Sequence, residues 1–213
     1  MKSQADGTRP SSRAKRRAVV AAAERAFLDA GYAGVTMDAI AEAAHVSKQT
    51  VYAYVGTKEQ LFVELVTEMT RAAGDQVMND ATVPDDRGEV EQSLTRILEL
   101  QLSLVLSPRL VRLRRLVIAE ADRFPDLARA VYEQGPQRAV TTLENHLREL
   151  DARGWLLVPD PAAAAEQLNW LVMGAPTNAV MFLGDQAALP PQDRRGHVAR
   201  AVRTFLAAHR PPA

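Results

Sequence analysis

The 213-residue chain has no cysteine, which excludes disulfide scaffolds and thiolate metal sites and leaves a protein that a reducing cytoplasm would not harm. No apolar core follows Met1, so a secretory signal is not expected. No stretch is long and apolar enough for a membrane span. The nearest approach, Leu168 to Leu183, is interrupted by Asn169, Pro176, Thr177 and Asn178 and falls short of the roughly 20 residues a span needs, so it reads as a buried helix. Alternation of apolar and polar residues, the mark of a half-buried strand, is missing. So are catalytic signatures: no glycine-rich loop follows a strand, and no strand-turn-helix nucleophile elbow occurs. His45, His146, His197 and His209 lie far apart, with no second ligand at metal-binding spacing. Neither an enzyme, a metal site nor a cofactor is therefore expected. Net charge is absent as well, 26 Lys and Arg balancing 26 Asp and Glu.

That balance is uneven along the chain. Residues 1–57 carry 8 basic against 5 acidic side chains and the remainder 18 against 21, the sign expected of a DNA-binding head on an acidic body. Residues 1–10 lack periodicity and are expected to be disordered. Arg13, Lys15, Arg16 and Arg17 then lead into a helix with Val19, Ala23, Ala26, Phe27 and Ala30 at helical spacing, ending before Gly31. This cluster suits phosphate or minor-groove contact through residues such as Arg13 and Arg17. A solvated helix start is the plainer alternative, because cations at a helix N-terminus oppose the dipole.

The stretch from Thr36 to Lys58 predicts two short helices across a tight turn. Thr36 caps the first, with Val35 placed to staple onto Ile40. Ala44-His45-Val46 breaks it, and Ser47 caps the second, from Lys48 to about Ala53, with Val46 stapling onto Val51. Ile40, Ala44, Val46, Val51 and Val55 point inward in this reading. Ser47, Lys48, Gln49, Thr50, Tyr52 and Tyr54 form an outward edge of hydrogen-bonding groups suited to a DNA groove. Lys48 and Gln49 occupy the first turn, the end of a recognition helix presented to base edges. Thr50 has the alternative of capping or packing. Thr57 and Gln60 then predict a capping box opening a long helix with the stripe Leu61, Phe62, Leu65, Val66 and Met69.

At these residues the chain resembles the DNA-binding domain of the TetR (AcrR-type) family of bacterial transcription repressors. The likeness is carried by Phe27, Gly31-Tyr32, Thr36, Ile40-Ala41, Ala44, Val46-Ser47, Thr50-Val51-Tyr52, Tyr54, Lys58-Glu59 and Leu61 at the family's spacing, over about the first third of the chain. His45 stands where the family has a turn glycine, a site that favours positive φ and that His tolerates better than most residues. Ala53 replaces a frequent phosphate-contacting residue, and Val55 a Phe. The resemblance implies phosphate contacts or packing beside phosphate for Thr36, Ser47, Tyr52, Tyr54 and Lys58. It also implies a homodimer on a near-palindromic double-stranded operator, with a small-molecule effector bound in the body. A rival reading is an all-α binding or scaffold protein whose helix-turn-helix no longer recognises DNA.

Beyond Lys58, Val90, Leu94, Ile97, Leu98, Gln101 and Val105 trace a further helix, and Ser107-Pro108 opens another reaching about Arg123. Prolines punctuate the rest into segments 125–134, 136–153, 161–183 and 192–209, for about nine or ten helices in all. The fold class is therefore all-α. A three-helix DNA-binding domain occupies 1–57, and a helical bundle for ligand binding and dimerisation occupies 58–213. Val117 to Ala121, Arg123-Phe124-Pro125 and Tyr132 to Pro136 resemble the AefR-like subtype of the same family. Met69, Phe124, His146, Trp170, Met173 and Met181 are candidates to line an apolar or amphipathic effector's cavity, with plain core as the alternative for each. The amides of Asn169 and Asn178 need partners, from a ligand, a facing subunit or water. The last two segments are expected to form the dimer interface, with Gly174 allowing close approach and Val198, Val202 and Phe205 as the apolar face.

Overall fold

The computed structural model describes residues 12–80 and 83–211. The disordered stretch expected over residues 1–10 lies outside them. No β-strand occurs among the described residues, and the chain divides into two compact units, one ending at Val66 and the other beginning at Thr67.

The N-terminal unit holds α1 (Ser12–Gly34), α2 (Met37–Ala43), α3 (Lys48–Val55) and the start of α4 (Lys58–Asp80). Its core is made by Val19, Ala22, Ala23, Phe27, Ile40, Val51, Leu61 and Phe62. Of the expected α1 stripe, Ala26 is only half-buried and Ala30 is exposed. Gly31 takes φ +72° and interrupts α1, a conformation glycine adopts without a Cβ penalty. The chain bends there and Tyr32 is buried beside Phe27 and Phe62, with ring centroids 5.9, 4.9 and 5.2 Å apart for the pairs 27–32, 32–62 and 27–62. Offset and edge-on aromatic pairs of this kind add to what burial alone contributes.

α4 is one uninterrupted helix whose beginning belongs to the first unit and whose later residues belong to the second. The predicted capping box opens it. The Thr57 N–H donates to Gln60 Oε1 at 2.8 Å and the Gln60 N–H donates to Thr57 Oγ1 at 3.1 Å. The whole expected stripe, from Leu61 to Met69, is buried.

The C-terminal unit adds α5 (Val90–Val105), α6 (Pro108–Ala119), α7 (Pro125–Tyr132), α8 (Arg138–Ala152), α9 (Pro161–Leu183) and α10 (Pro191–Ala208). Its core joins Leu94, Leu98 and Leu102 of α5, Leu143, Leu147 and Leu150 of α8, Leu168 and Val172 of α9, and Val198, Val202 and Phe205 of α10. Each such side chain contributes about 1.5 to 3 kcal/mol on burial. Ser107 caps α6 with Pro108 in its first turn, as expected, but α6 ends at Ala119, and residues 120–123 form turns.

The break expected at Gly135-Pro136 does not occur. A π-helical turn over Glu133–Gln137 carries α7 directly into α8. Proline lacks the N–H and clashes with the carbonyl four residues back in a regular helix, and the wider turn accommodates it. Pro176 likewise sits inside α9 without ending it.

Candidate nucleic-acid interface

The helix-turn-helix is built from caps. The Thr36 Oγ1 accepts the Ala39 N–H at 3.1 Å and starts α2. Its inward residues Met37, Ile40 and Ala41 are buried. At its far end the His45 N–H donates to the Glu42 carbonyl and the Val46 N–H to the Ala41 carbonyl, both at 3.0 Å. This is a Schellman closure, and it requires a left-handed residue at its hinge. His45 is that residue, with φ +53°, and no other non-glycine among the described residues has positive φ. Ser47 then caps α3, accepting the Thr50 N–H at 3.2 Å, while the two hydroxyls lie 2.8 Å apart.

α3 buries Val51 and Val55, which fixes its roll and turns Lys48, Gln49 and Tyr52 outward. Val46 and Tyr54 are half-buried. The Lys48 ammonium, though exposed, is held by a carboxylate. It lies 2.8 Å from Asp38 Oδ1 and donates to Oδ2 at 3.0 Å, across the gap between the first turns of α2 and α3. The hydrogen bond and charge of Asp38 raise the Lys48 pKa above its ordinary value. Lys58 sits with its ammonium 4.4 Å from the centroid of the Tyr32 ring, a cation-π contact that leaves it half-buried. Arg13 and Arg17 are exposed on the first turns of α1, whereas Arg16 pairs with Glu64. Lys48, Gln49, Thr50, Ser47, Thr36 and Tyr52 are thus gathered on two capped helices. This surface offers cationic, amide and hydroxyl donors, the groups that contact phosphates and base edges.

The body residues divide. Met69, Phe124, His146 and Met173 are buried in the C-terminal unit, and Met181 is half-buried against its core. His146 is 4% exposed, yet neither ring nitrogen has a hydrogen-bond partner. Burial, then the nearby charges of Arg153 and Arg96, push its pKa down to about 4, so it is neutral at ordinary pH. Trp170 departs from expectation. It is 61% exposed and lines no interior space of the unit, because it lies on the opposite side of α9 from the buried Leu168 and Val172. The Asn169 amide finds its partner in Gln101 of α5, whose Nε2 donates to Oδ1 at 3.0 Å, and Asn178 is exposed rather than buried.

The expected contact face on α10 is also corrected. Val198, Val202 and Phe205 are at most 3% exposed, sealed within the chain's own core, so they have no surface to offer a second subunit. Gly174 lies instead on an outward strip of α9 with Trp170, Leu171 and Phe182, the last 82% exposed. Asp38, Gln101 and the unpartnered Thr177 hydroxyl were not singled out from sequence as site residues. Gln101 did stand at a core position of its helix, a polar residue in an apolar stripe, which is the signal that marks it.

Comparison with known proteins bears on both units. The model of the bacterial regulatory proteins of the tetR family matches residues 19–65, and that of the C-terminal domain of AefR-like transcriptional repressors matches residues 92–211. A TetR-family transcriptional regulator from Mesorhizobium loti is 31% identical, with 95% of this chain and 100% of that one covered at a TM-score of 0.82. The flavonoid-responsive regulator FrrA is 33% identical over 93% of this chain and 98% of its own, with a TM-score of 0.72. An uncharacterized HTH-type transcriptional regulator, YhgD of Bacillus subtilis, is 35% identical over 57 residues, which span 27% of this chain and 30% of that protein.

Proposed function

Because the chain belongs to the TetR family of bacterial transcriptional regulators, with a helix-turn-helix DNA-binding domain, we propose that it is a ligand-responsive repressor that binds a near-palindromic operator as a homodimer. The observation that carries this is the capped α2-turn-α3 unit, in which burial of Val51 and Val55 commits Lys48 and Gln49 to the outer first turn. In such a docking Gln49 pairs with adenine and Lys48 with guanine, while Thr36, Ser47, Tyr52, Tyr54, Lys58, Arg13 and Arg17 hold phosphates and set the register. The protein acts in the cytoplasm, where its operator is, and its role is regulatory rather than catalytic. Among the described residues no helix is long and apolar enough to cross a membrane.

The effector binds within the C-terminal unit with His146 as its polar anchor. A neutral buried imidazole offers one N–H donor and one acceptor, and each unmet group costs free energy until a partner arrives. FrrA is flavonoid-responsive, and a flavonoid is a flat apolar molecule edged with hydroxyls, a chemistry that such an imidazole suits. A flavonoid aglycone is therefore the first effector to test.

The deciding experiment is binding of the purified protein to duplexes from the DNA flanking its own coding region, against a scrambled duplex. Specific binding is expected. Lys48→Ala and Gln49→Ala should each lower discrimination about tenfold, the loss of one good base contact, with helicity unchanged. Wild-type discrimination in both variants would mean that α3 is not the reading helix.

A further inference from the structure

The ion pair between Lys48 and Asp38 joins the leading cation of α3 to a carboxylate on α2 ten residues earlier. Both side chains are more than half exposed, so the pair is not part of the core. Both carboxylate oxygens lie within hydrogen-bonding distance of the ammonium, and the pair carries no net charge. Such a pair contributes nothing to the counterion release that drives sequence-independent binding to DNA, which counts neutralised phosphates. A lysine ammonium is a mobile point charge that a phosphate attracts as readily as a base edge does. One held by a carboxylate must give up both of its hydrogen bonds before it can join a phosphate, and guanine O6 and N7 present a pair of acceptors that replaces them at a base edge.

From this we infer that Asp38 is a specificity-determining positioning residue. It withholds Lys48 from the phosphate backbone and releases it to a matching base edge, so it raises discrimination by weakening non-specific binding. This rests on the DNA-binding reading given above. Lys48 that moves to a phosphate also leaves the Asp38 carboxylate as an uncompensated negative charge beside a polyanion, which adds to the penalty on that contact.

The test is fluorescence anisotropy of the full-length protein on a labelled random-sequence 30-bp duplex at several KCl concentrations. Wild type, Asp38→Asn, Lys48→Ala and the double variant are compared, with Asp38→Ser as a second replacement and circular dichroism as the check on folding. Asp38→Asn should bind the random duplex more tightly and steepen the plot of log K against log [KCl] by about 0.9 per bound head, one further phosphate contact. Between 50 and 200 mM salt that is about a threefold additional loss of affinity. In the Lys48→Ala background Asp38→Asn should leave the slope where it is. An unchanged slope in Asp38→Asn and Asp38→Ser overturns the inference. So does an equal gain with and without Lys48, which would make Asp38 a general surface charge. If wild type binds neither the random duplex nor any flanking duplex, the DNA-binding reading fails as well, and that result is distinct from the other two.

Discussion

At the scale of single residues, His146 ties burial to a measurable pH dependence. The unfolded chain takes up a proton on this imidazole near pH 6.5 and the folded chain only near 4. Between those values unfolding binds a proton, so the stability this residue contributes is complete above about pH 6.5 and drains away as pH falls toward 4. The full shift corresponds to an effect on the order of 3 kcal/mol. We expect the melting temperature of wild type to drop between pH 7.5 and 5.0 and that of His146→Leu to drop less. The variant should also be at least as stable at pH 7.5, since it removes two unpartnered nitrogens. An undiminished drop in His146→Leu would assign the acid sensitivity to other groups. Local chemistry of this kind was only partly legible in the sequence. Thr36, Ser47 and the Thr57-Gln60 pair could be read as caps because the donor and acceptor lie three residues apart. The Lys48-Asp38 pair and the Gln101-Asn169 bond join residues 10 and 68 positions apart, and no local pattern announces them.

At the scale of elements, the turn between α2 and α3 shows what the chain tolerates in order to keep the helix-turn-helix geometry. The Schellman closure puts His45 at φ +53°, where a side chain with a Cβ is disfavoured by roughly 1 to 2 kcal/mol. His45→Gly should therefore stabilise the N-terminal unit by about 1 kcal/mol, less whatever flexibility glycine adds to the unfolded chain. His45→Val, β-branched at the same φ, should destabilise it. Urea unfolding followed by far-UV circular dichroism separates the two, and a His45→Gly variant less stable than wild type would mean that the imidazole makes a contribution larger than the strain. This strain was legible through the resemblance, because His45 stands where that family has a turn glycine, a site that favours positive φ. The continuity of α7 into α8 was not. Gly135-Pro136 is a strong break signal locally, and only the packing of the flanking helices through a π turn overrides it.

At the scale of the whole molecule, the all-α class followed from periodicity alone, but which face of each terminal helix is covered did not. Val198, Val202 and Phe205 form an apolar stripe that reads equally well as an interface or as a core, and three-dimensional packing decides for the core. The surplus apolar surface is on α9, where Trp170, Leu171, Gly174, Ala175, Asn178 and Phe182 follow one another along a single side of the helix, all of it outward or half-open. Large contiguous apolar patches are uncommon on monomeric proteins and mark interaction surfaces, and in the middle of the strip the Trp170 ring lies over Gly174. In the proposed homodimer a symmetric contact would cover the same strip on both copies at once. Because Phe182 is 82% exposed, Phe182→Asp should leave the melting temperature of the protomer nearly unchanged while burying an unpaired carboxylate at the contact, so sedimentation should report monomers. Phe205→Asp puts the same charge in the core and should instead unfold the C-terminal unit. The monomeric Phe182→Asp variant should lose operator binding, since two heads read half-sites about one helical turn, roughly 34 Å, apart and one head makes half the contacts. A Phe182→Asp protein that sediments as a dimer and still binds the operator would move the interface off α9.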